Sequence, residues 1–285
     1  MNILITGSNG QLGNEMRVLS SAHSQHHYFF TDVIATEGTS VLDITDNTAV
    51  SSFVAEHAID LIVNCAAYTN VDKAEEDEAT ATLINADALG VLGGQGIKVI
   101  HVSTDYVFSG DAHIPYRETD PVAPRTIYGI TKYEGVKRLL ASCPEAVILR
   151  TAWLYSEFGN NFVKTMIRLG NEKESLGVVF DQIGSPTYAA DLAQAIYTVI
   201  ECPVWHPGIY HFTNEGVCSW YDFTLSIHEL AGITNCVVRP ILSAEYQYKT
   251  PRPHYSVLDK SKFKQTFGVT IPHWMDGLKR CMEKL

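Results

Sequence analysis

The chain has 285 residues, 46% of them apolar, with 32 acidic against 21 basic side chains and a net charge of −11. That length supports one large domain or two modest ones with a proper core. The acidic balance excludes a general nucleic-acid binder, which needs a basic surface. Six scattered cysteines without a CxxC pair read as free thiols of a reducing cytosol. No basic leader precedes the first apolar run, and no apolar stretch nears membrane-spanning length. These features predict a cytoplasmic protein with no nucleic-acid and no membrane partner.

Ile3–Thr6 reads as a strand running into the turn Gly7-Ser-Asn-Gly10-Gln11-Leu12-Gly13, and 11–20 as a helix. Glycines there permit a tight turn and close backbone approach to a pyrophosphate, which the helix N-terminus would favour. Residues 28–31 form a second strand ending at Asp32. A carboxylate there suits an adenosine ribose and repels a 2′-phosphate. His23, His26 and His27 read as surface residues.

Further strands are expected at 61–67, 98–103 and 147–151, each a continuous apolar run separated from the next by a helix. The alternation predicts an α/β fold: a Rossmann-like doubly wound parallel sheet. Between Asn85 and His101 the crossover helix meets Gly93, Gly94 and Gly96, poor helix material. Either this crossover is unusually short or residues are missing.

Tyr128 and Lys132 sit four apart on one helix face. An ammonium beside a phenol stabilises the phenolate, and lowering its pKa by about 3 units corresponds to roughly 4 kcal/mol. With Ser103-Thr104-Asp105 ending the preceding strand, the set suits proton donation to a carbonyl. Ala66 and Ala67 leave room for a nicotinamide ribose. Arg150, Trp153, Tyr155, Asn160 and Asn161 suit phosphate and sugar groups, and Arg252 a diphosphate.

After residue 151 glycine, proline and aromatics become more frequent. The expected organisation is a dinucleotide-binding domain over 1–151 and a smaller C-terminal substrate lobe over 152–285, with segments near 187–213 returning to the first. Thr187 would cap a helix over 188–200, a strand follows at 208–212, and helices lie at 220–231 and 274–285. No metal-ligand spacing occurs among the eleven histidines.

The stretches GSNGQLG, NCAAYTNVDKAE, HVSTDYVFSG, YGITKYEG, RTAWLYSEFGNNFVKTM, DQIGSPT and RPHYSVLD span nearly the whole chain. On them the sequence resembles the extended short-chain dehydrogenase/reductases, and within these the dTDP-4-dehydrorhamnose reductase family. The resemblance implies reduction of the C4 ketone of a dTDP-linked 6-deoxy sugar with NADPH or NADH, in cell-surface polysaccharide synthesis. It implies that Gly10, Gln11 and Leu12 hold the pyrophosphate, Asp32 the adenosine ribose, and Asp43 and Ile44 the adenine. Ala66, Ala67 and Tyr68 would line the cofactor groove. Tyr128 and Lys132 would be catalytic and touch the cofactor, Thr104 would tune proton transfer, and Asp105 and Trp153 would hold the sugar. Val102 stands where some relatives have tyrosine. Some relatives bind magnesium at a dimer contact through acids that include the position of Glu15. Here a second acid position is Ala190, which leaves Mg2+ and the choice of monomer or homodimer open. Two other readings share this pattern: another nucleotide-sugar reductase or epimerase, and a non-catalytic regulatory subunit resembling that of methionine adenosyltransferase.

Overall fold

A computed structural model describes residues 1–285. In the first half, β1 (Asn2–Thr6) leads into α1 (Gln11–Ser20), followed by β2 (His27–Asp32), β3 (Ser40–Val41), α2 (Asn47–Glu56) and β4 (Leu61–Asn64). Next come α3 (Val71–Ala74), α4 (Glu78–Thr82), a π-helical turn (Leu83–Asp87), α5 (Ala88–Gly93), β5 (Lys98–Thr104), α6 (Ile127–Ser142) and β6 (Val147–Thr151). The second half carries β7 (Leu154–Tyr155), α7 (Phe162–Glu172), β8 (Ser175–Val179), β9 (Ile183–Gly184), β10 (Thr187–Tyr188), α8 (Ala189–Glu201) and β11 (Gly208–His211). It closes with β12 (Cys218–Ser219), α9 (Trp220–Leu230), β13 (Val237–Ile241), α10 (Ser261–Phe267) and α11 (Trp274–Met282).

Seven strands form one parallel sheet in the order β11-β6-β5-β4-β1-β2-β3. Its central strands are largely apolar because helices cover both faces, with polar residues such as Asn64, Ser103 and Thr104 near their carboxyl ends. One face packs on α1, α8 and α10 through Leu12, Met16, Ile196 and Phe263. The other packs on α2, α5 and α6 through Val50, Leu89, Val136 and Leu139. The strand order reverses between β1 and β4, and a doubly wound sheet opens its ligand crevice at that switch point. A separate apolar core, including Tyr155, Val163, Phe223, Trp274 and Leu278, joins α7, α9 and α11 beside the carboxyl ends of the sheet. There β13 pairs with β8 in parallel.

Several expectations need correction. The strand expected at 61–67 stops at Asn64, and Cys65–Ala67 continue as irregular backbone along the crevice. Thr187 does not cap α8: its hydroxyl donates to the Ala152 carbonyl at 2.7 Å, and Tyr188 holds the N-cap position without a side-chain bond. His23 and His26 are not surface residues, their side chains being 12% and 10% exposed. The His23 ring stacks on Tyr197 at 3.9 Å and pairs with Glu201 at 2.6 Å, tying the end of α1 to the end of α8. The crossover runs without a break from Glu78 through the π turn to Gly93, where α5 ends as the glycines begin. No helix is long and apolar enough to cross a membrane.

Candidate active site

The crevice at the switch point is a cleft of about 820 Å³, within the range of cofactor sites. Its floor is the glycine-rich turn. Gly7 has φ +65°, and a Cβ there would lie 2.5 Å from the Ala66 nitrogen, so only glycine lets the turn and the Cys65–Ala67 segment touch. Gly10, Gln11 and Leu12 line the cleft. Gly13 does not; it packs α1 against Ser8.

Asp32 reaches the cleft with its oxygens already held by the Asn9 amide at 3.0 Å and the Val33 amide at 2.8 Å. Asp43 and Ile44 line the same end. Ala66 and Ala67 form the middle wall. Tyr68 is not on it: its phenol is buried without a partner, and its backbone is held by Asn85. Val102, Asn160 and Asn161 also face the cleft.

At the inner end, β5 delivers Thr104 and Asp105, and α6 delivers Tyr128 and Lys132. The Thr104 hydroxyl donates to Asp105 Oδ1 at 2.9 Å, while Asp105 Oδ2 is buried with no partner. Burial pushes the Asp105 carboxyl up to about 7. It also pushes the Tyr128 phenol up to about 12, against a lowering contribution from the Thr104 hydroxyl. This corrects the expected phenol–ammonium pair. Lys132 Nζ donates instead to the Val102 carbonyl at 2.7 Å and lies 3.2 Å from His101 Nε2. Burial lowers its pKa to about 7.

A second cavity of about 530 Å³ opens from this end. Asp105, Tyr106 and Trp153 line both spaces, so a molecule in the second cavity can meet a reactive atom in the first. Trp153 adopts φ +51°, rare for a large side chain, and its indole stacks on Trp220 with centroids 3.5 Å apart. Arg252 lines the second cavity and pairs with Asp72 at 2.8 Å, leaving its buried Nη1 without a partner. Arg150 and Tyr155 line neither space. Arg150 is buried over Phe108 beside His211, and Tyr155 belongs to the C-terminal core.

Sequence reasoning gave no site role to His101, Trp220, Gln182, Tyr246, Tyr248 or Ser256. Gln182 and Ser256 lie inside the quoted DQIGSPT and RPHYSVLD motifs, which was the available signal. Trp220 and the two tyrosines reach the cavity only through non-local packing.

Glu15 is fully buried, accepts from Ser156 Oγ at 2.7 Å and is pushed up to about 7, chiefly by burial. Its neighbour Glu157 already takes Lys284 at 2.8 Å and the Tyr188 hydroxyl at 2.9 Å. These carboxylates do not fit a divalent cation, and no cluster of three or more metal-ligating side chains occurs. The residues lining the larger cleft do fit a dinucleotide: bare glycine backbone at the helix start, an acid at the end of β2 and small wall residues.

Fold and site together define an oxidoreductase of the short-chain dehydrogenase/reductase type. The family model described as RmlD substrate binding domain matches residues 1–285. A dTDP-4-dehydrorhamnose reductase of Aggregatibacter actinomycetemcomitans is 39% identical over 97% of each chain. A probable dTDP-4,6-dihydroxy-2-methyloxan-3-one 4-ketoreductase of Streptomyces antibioticus is 41% identical over 98% of this chain and 94% of its own. The solved structure of the Bacillus anthracis dTDP-4-dehydrorhamnose reductase in complex with NADP superposes with a TM-score of 0.91, at 38% identity over 100% of this chain and 99% of that one. The chain belongs to the RmlD family, that of the dTDP-4-dehydrorhamnose reductases.

Proposed function

We propose that this protein reduces the C4 ketone of dTDP-4-dehydro-6-deoxy-L-mannose to the alcohol of dTDP-L-rhamnose, with NADPH or NADH bound in the larger cleft. The observation that carries this reading is the shared wall of Asp105, Tyr106 and Trp153 between a dinucleotide-sized cleft and a second cavity, with Tyr128 and Thr104 lining the cleft. When bound, the cofactor supplies a hydride. The carbonyl carbon accepts it, and the carbonyl oxygen must then gain one proton. Tyr128, neutral at physiological pH because of burial, is the donor to that oxygen, and Thr104, whose hydroxyl donates to Asp105 Oδ1, tunes the transfer from beside the phenol. Gly10, Gln11, Leu12, Asp32, Asp43, Ile44, Ala66 and Ala67 hold the dinucleotide, and Lys132 meets it at the reacting end. Asp105 and the Trp153 face hold the sugar, and Arg252 meets the diphosphate.

The Streptomyces relative motivates a second substrate of the same chemistry, another dTDP-linked 4-ketosugar. Loss of nicotinamide absorbance on mixing protein, reduced cofactor and dTDP-4-dehydro-L-rhamnose tests the first reading. Steady consumption is expected, falling by about 10²–10⁴ in Tyr128→Phe. Consumption with a different dTDP-4-ketosugar alone would move the assignment to that substrate. A folded, cofactor-binding protein that consumes nothing would end the reductase reading.

A further inference from the structure

Behind Lys132 lies a buried row of polar side chains that the reductase reading leaves without a task. The registers β1–β4 and β4–β5 align Thr6 with Asn64 and Asn64 with His101. All three face α6, on the side of the sheet that otherwise holds Leu4, Ile62 and Val99. Each is at most 1% exposed, and Lys132 at the end of the row is 2% exposed. Water therefore cannot adjust this network, and each hydrogen must have an assigned place.

The donors and acceptors can be placed in one direction. Asn64 Oδ1 accepts from the Thr6 hydroxyl at 2.6 Å and from the Ala66 backbone N–H at 3.3 Å. The backbone N–H is a donor only, so it fixes the oxygen of the amide on that side. Asn64 Nδ2 then faces His101 Nδ1 at 2.9 Å. An N–H₂ group requires a lone pair opposite, so His101 Nδ1 is unprotonated. The neutral ring must carry its hydrogen on Nε2, which lies 3.2 Å from Lys132 Nζ. Burial keeps this ring neutral, well below the usual histidine pKa.

An ammonium facing that N–H would put donor against donor. An amine would accept from it and still donate to the Val102 carbonyl. The other titratable groups around Lys132 add no anion: the Cys65 thiol is pushed up to about 12, and Tyr128, one turn back on α6, is also neutral. We propose that Asn64 locks His101 in its Nε2–H tautomer and that this positioning residue holds Lys132 as a neutral amine in the cofactor-free protein. The amine keeps one further N–H, so it can donate to a hydroxyl or anionic oxygen of a ligand without taking up a proton. The inference rests on Lys132 belonging to the proposed site, but it can be tested without turnover.

The direct measurement is ¹⁵N NMR of histidine-labelled, cofactor-free protein, with His101 assigned by the His101→Gln variant. The expected result is a pyridine-type Nδ1 and a pyrrole-type Nε2. A pyrrole-type Nδ1 at His101 overturns the proposal whatever the lysine titration shows. Lysine ¹³Cε titration adds the consequence. Lys132, assigned by Lys132→Arg, should titrate at least one pH unit higher in Asn64→Asp than in wild type, because an aspartate accepts from Nδ1–H and turns Nε2 into an acceptor. The tautomer must switch in the same variant. A raised midpoint with the tautomer unchanged would mean that added charge alone acts on Lys132, and the lock would be refuted.

Discussion

Asp105 holds its charge at a cost. It is 4% exposed, Oδ1 is served by the Thr104 hydroxyl and Oδ2 by nothing. Its carboxyl titrates near 7 in the folded chain against 3.8 as the ordinary value. Between those pH values the native state keeps a proton that the unfolded chain has released, so this residue's contribution to stability falls as pH rises through the window. Above pH 7 the penalty is complete. Asp105→Asn removes it, and the variant should be no more stable than wild type near pH 4 but more stable at pH 8 by on the order of 1–4 kcal/mol. Urea midpoints at the two pH values measure this; an equal gain at both would exclude the carboxylate as its source. In the proposed reductase the same variant loses an acceptor for a sugar hydroxyl, so KM should rise more than kcat falls. A stabilising change that weakens substrate binding is the mark of a group retained for function. None of this was legible in the chain. STDYVF marks Asp105 as a site residue, but only the folded surroundings show that one of its oxygens is orphaned.

The helical elements around the site are placed by contacts that local sequence rules do not show. Gly93, Gly94 and Gly96 do end the crossover helix early, as their composition implies: α5 stops at Gly93 and the chain turns at Gly96, φ +71°. The physical need is close approach. A Cβ on Gly135 of α6 would lie 1.9 Å from the Asn85 carbonyl oxygen in the π turn. That contact sets α6, and with it Tyr128 and Lys132, against a segment whose Asn85 side chain also bonds the Tyr68 backbone and Thr131. A π turn inserts one residue into a helix and is recognised from neighbouring backbone rather than from composition. The strands were legible for the opposite reason: a run such as Leu61–Asn64 needs only burial on both faces, which its composition states. Two alanine variants separate propensity from packing. Gly90→Ala, with open space around its Cβ, should stabilise by about 0.5–1 kcal/mol. Gly135→Ala should destabilise by about 1–3 kcal/mol although alanine is the better helix former. It should also lower kcat by displacing α6. Denaturant midpoints of equal sign in the two variants would contradict this account.

At the scale of the whole molecule, the chain laces its two cores together late in the sequence. Helix α8 packs on the sheet beside α1, while α11, over seventy residues on, closes the C-terminal core with Trp274, Leu278 and Cys281. These helices meet where Arg280 Nη2 contacts Asp191 Oδ2 at 2.7 Å, and Asn214 Nδ2 reaches the same oxygen at 2.6 Å. Such a meeting point is invisible in sequence, because Asp191 and Arg280 read as ordinary polar positions of two amphipathic helices. The Asp191 side chain is 8% exposed and that of Arg280 is 43% exposed, so the acid bears most of the desolvation and solvent screens part of the attraction. Arg280→Ala would leave a buried carboxylate with only the Asn214 amide. It should destabilise by about 1–3 kcal/mol, less than a fully buried pair would lose. Asp191→Asn on the same background should restore part of that loss, since it removes the stranded charge. A double-mutant cycle in urea gives the coupling directly. Strict additivity would mean that the two helices are joined by their apolar contacts alone.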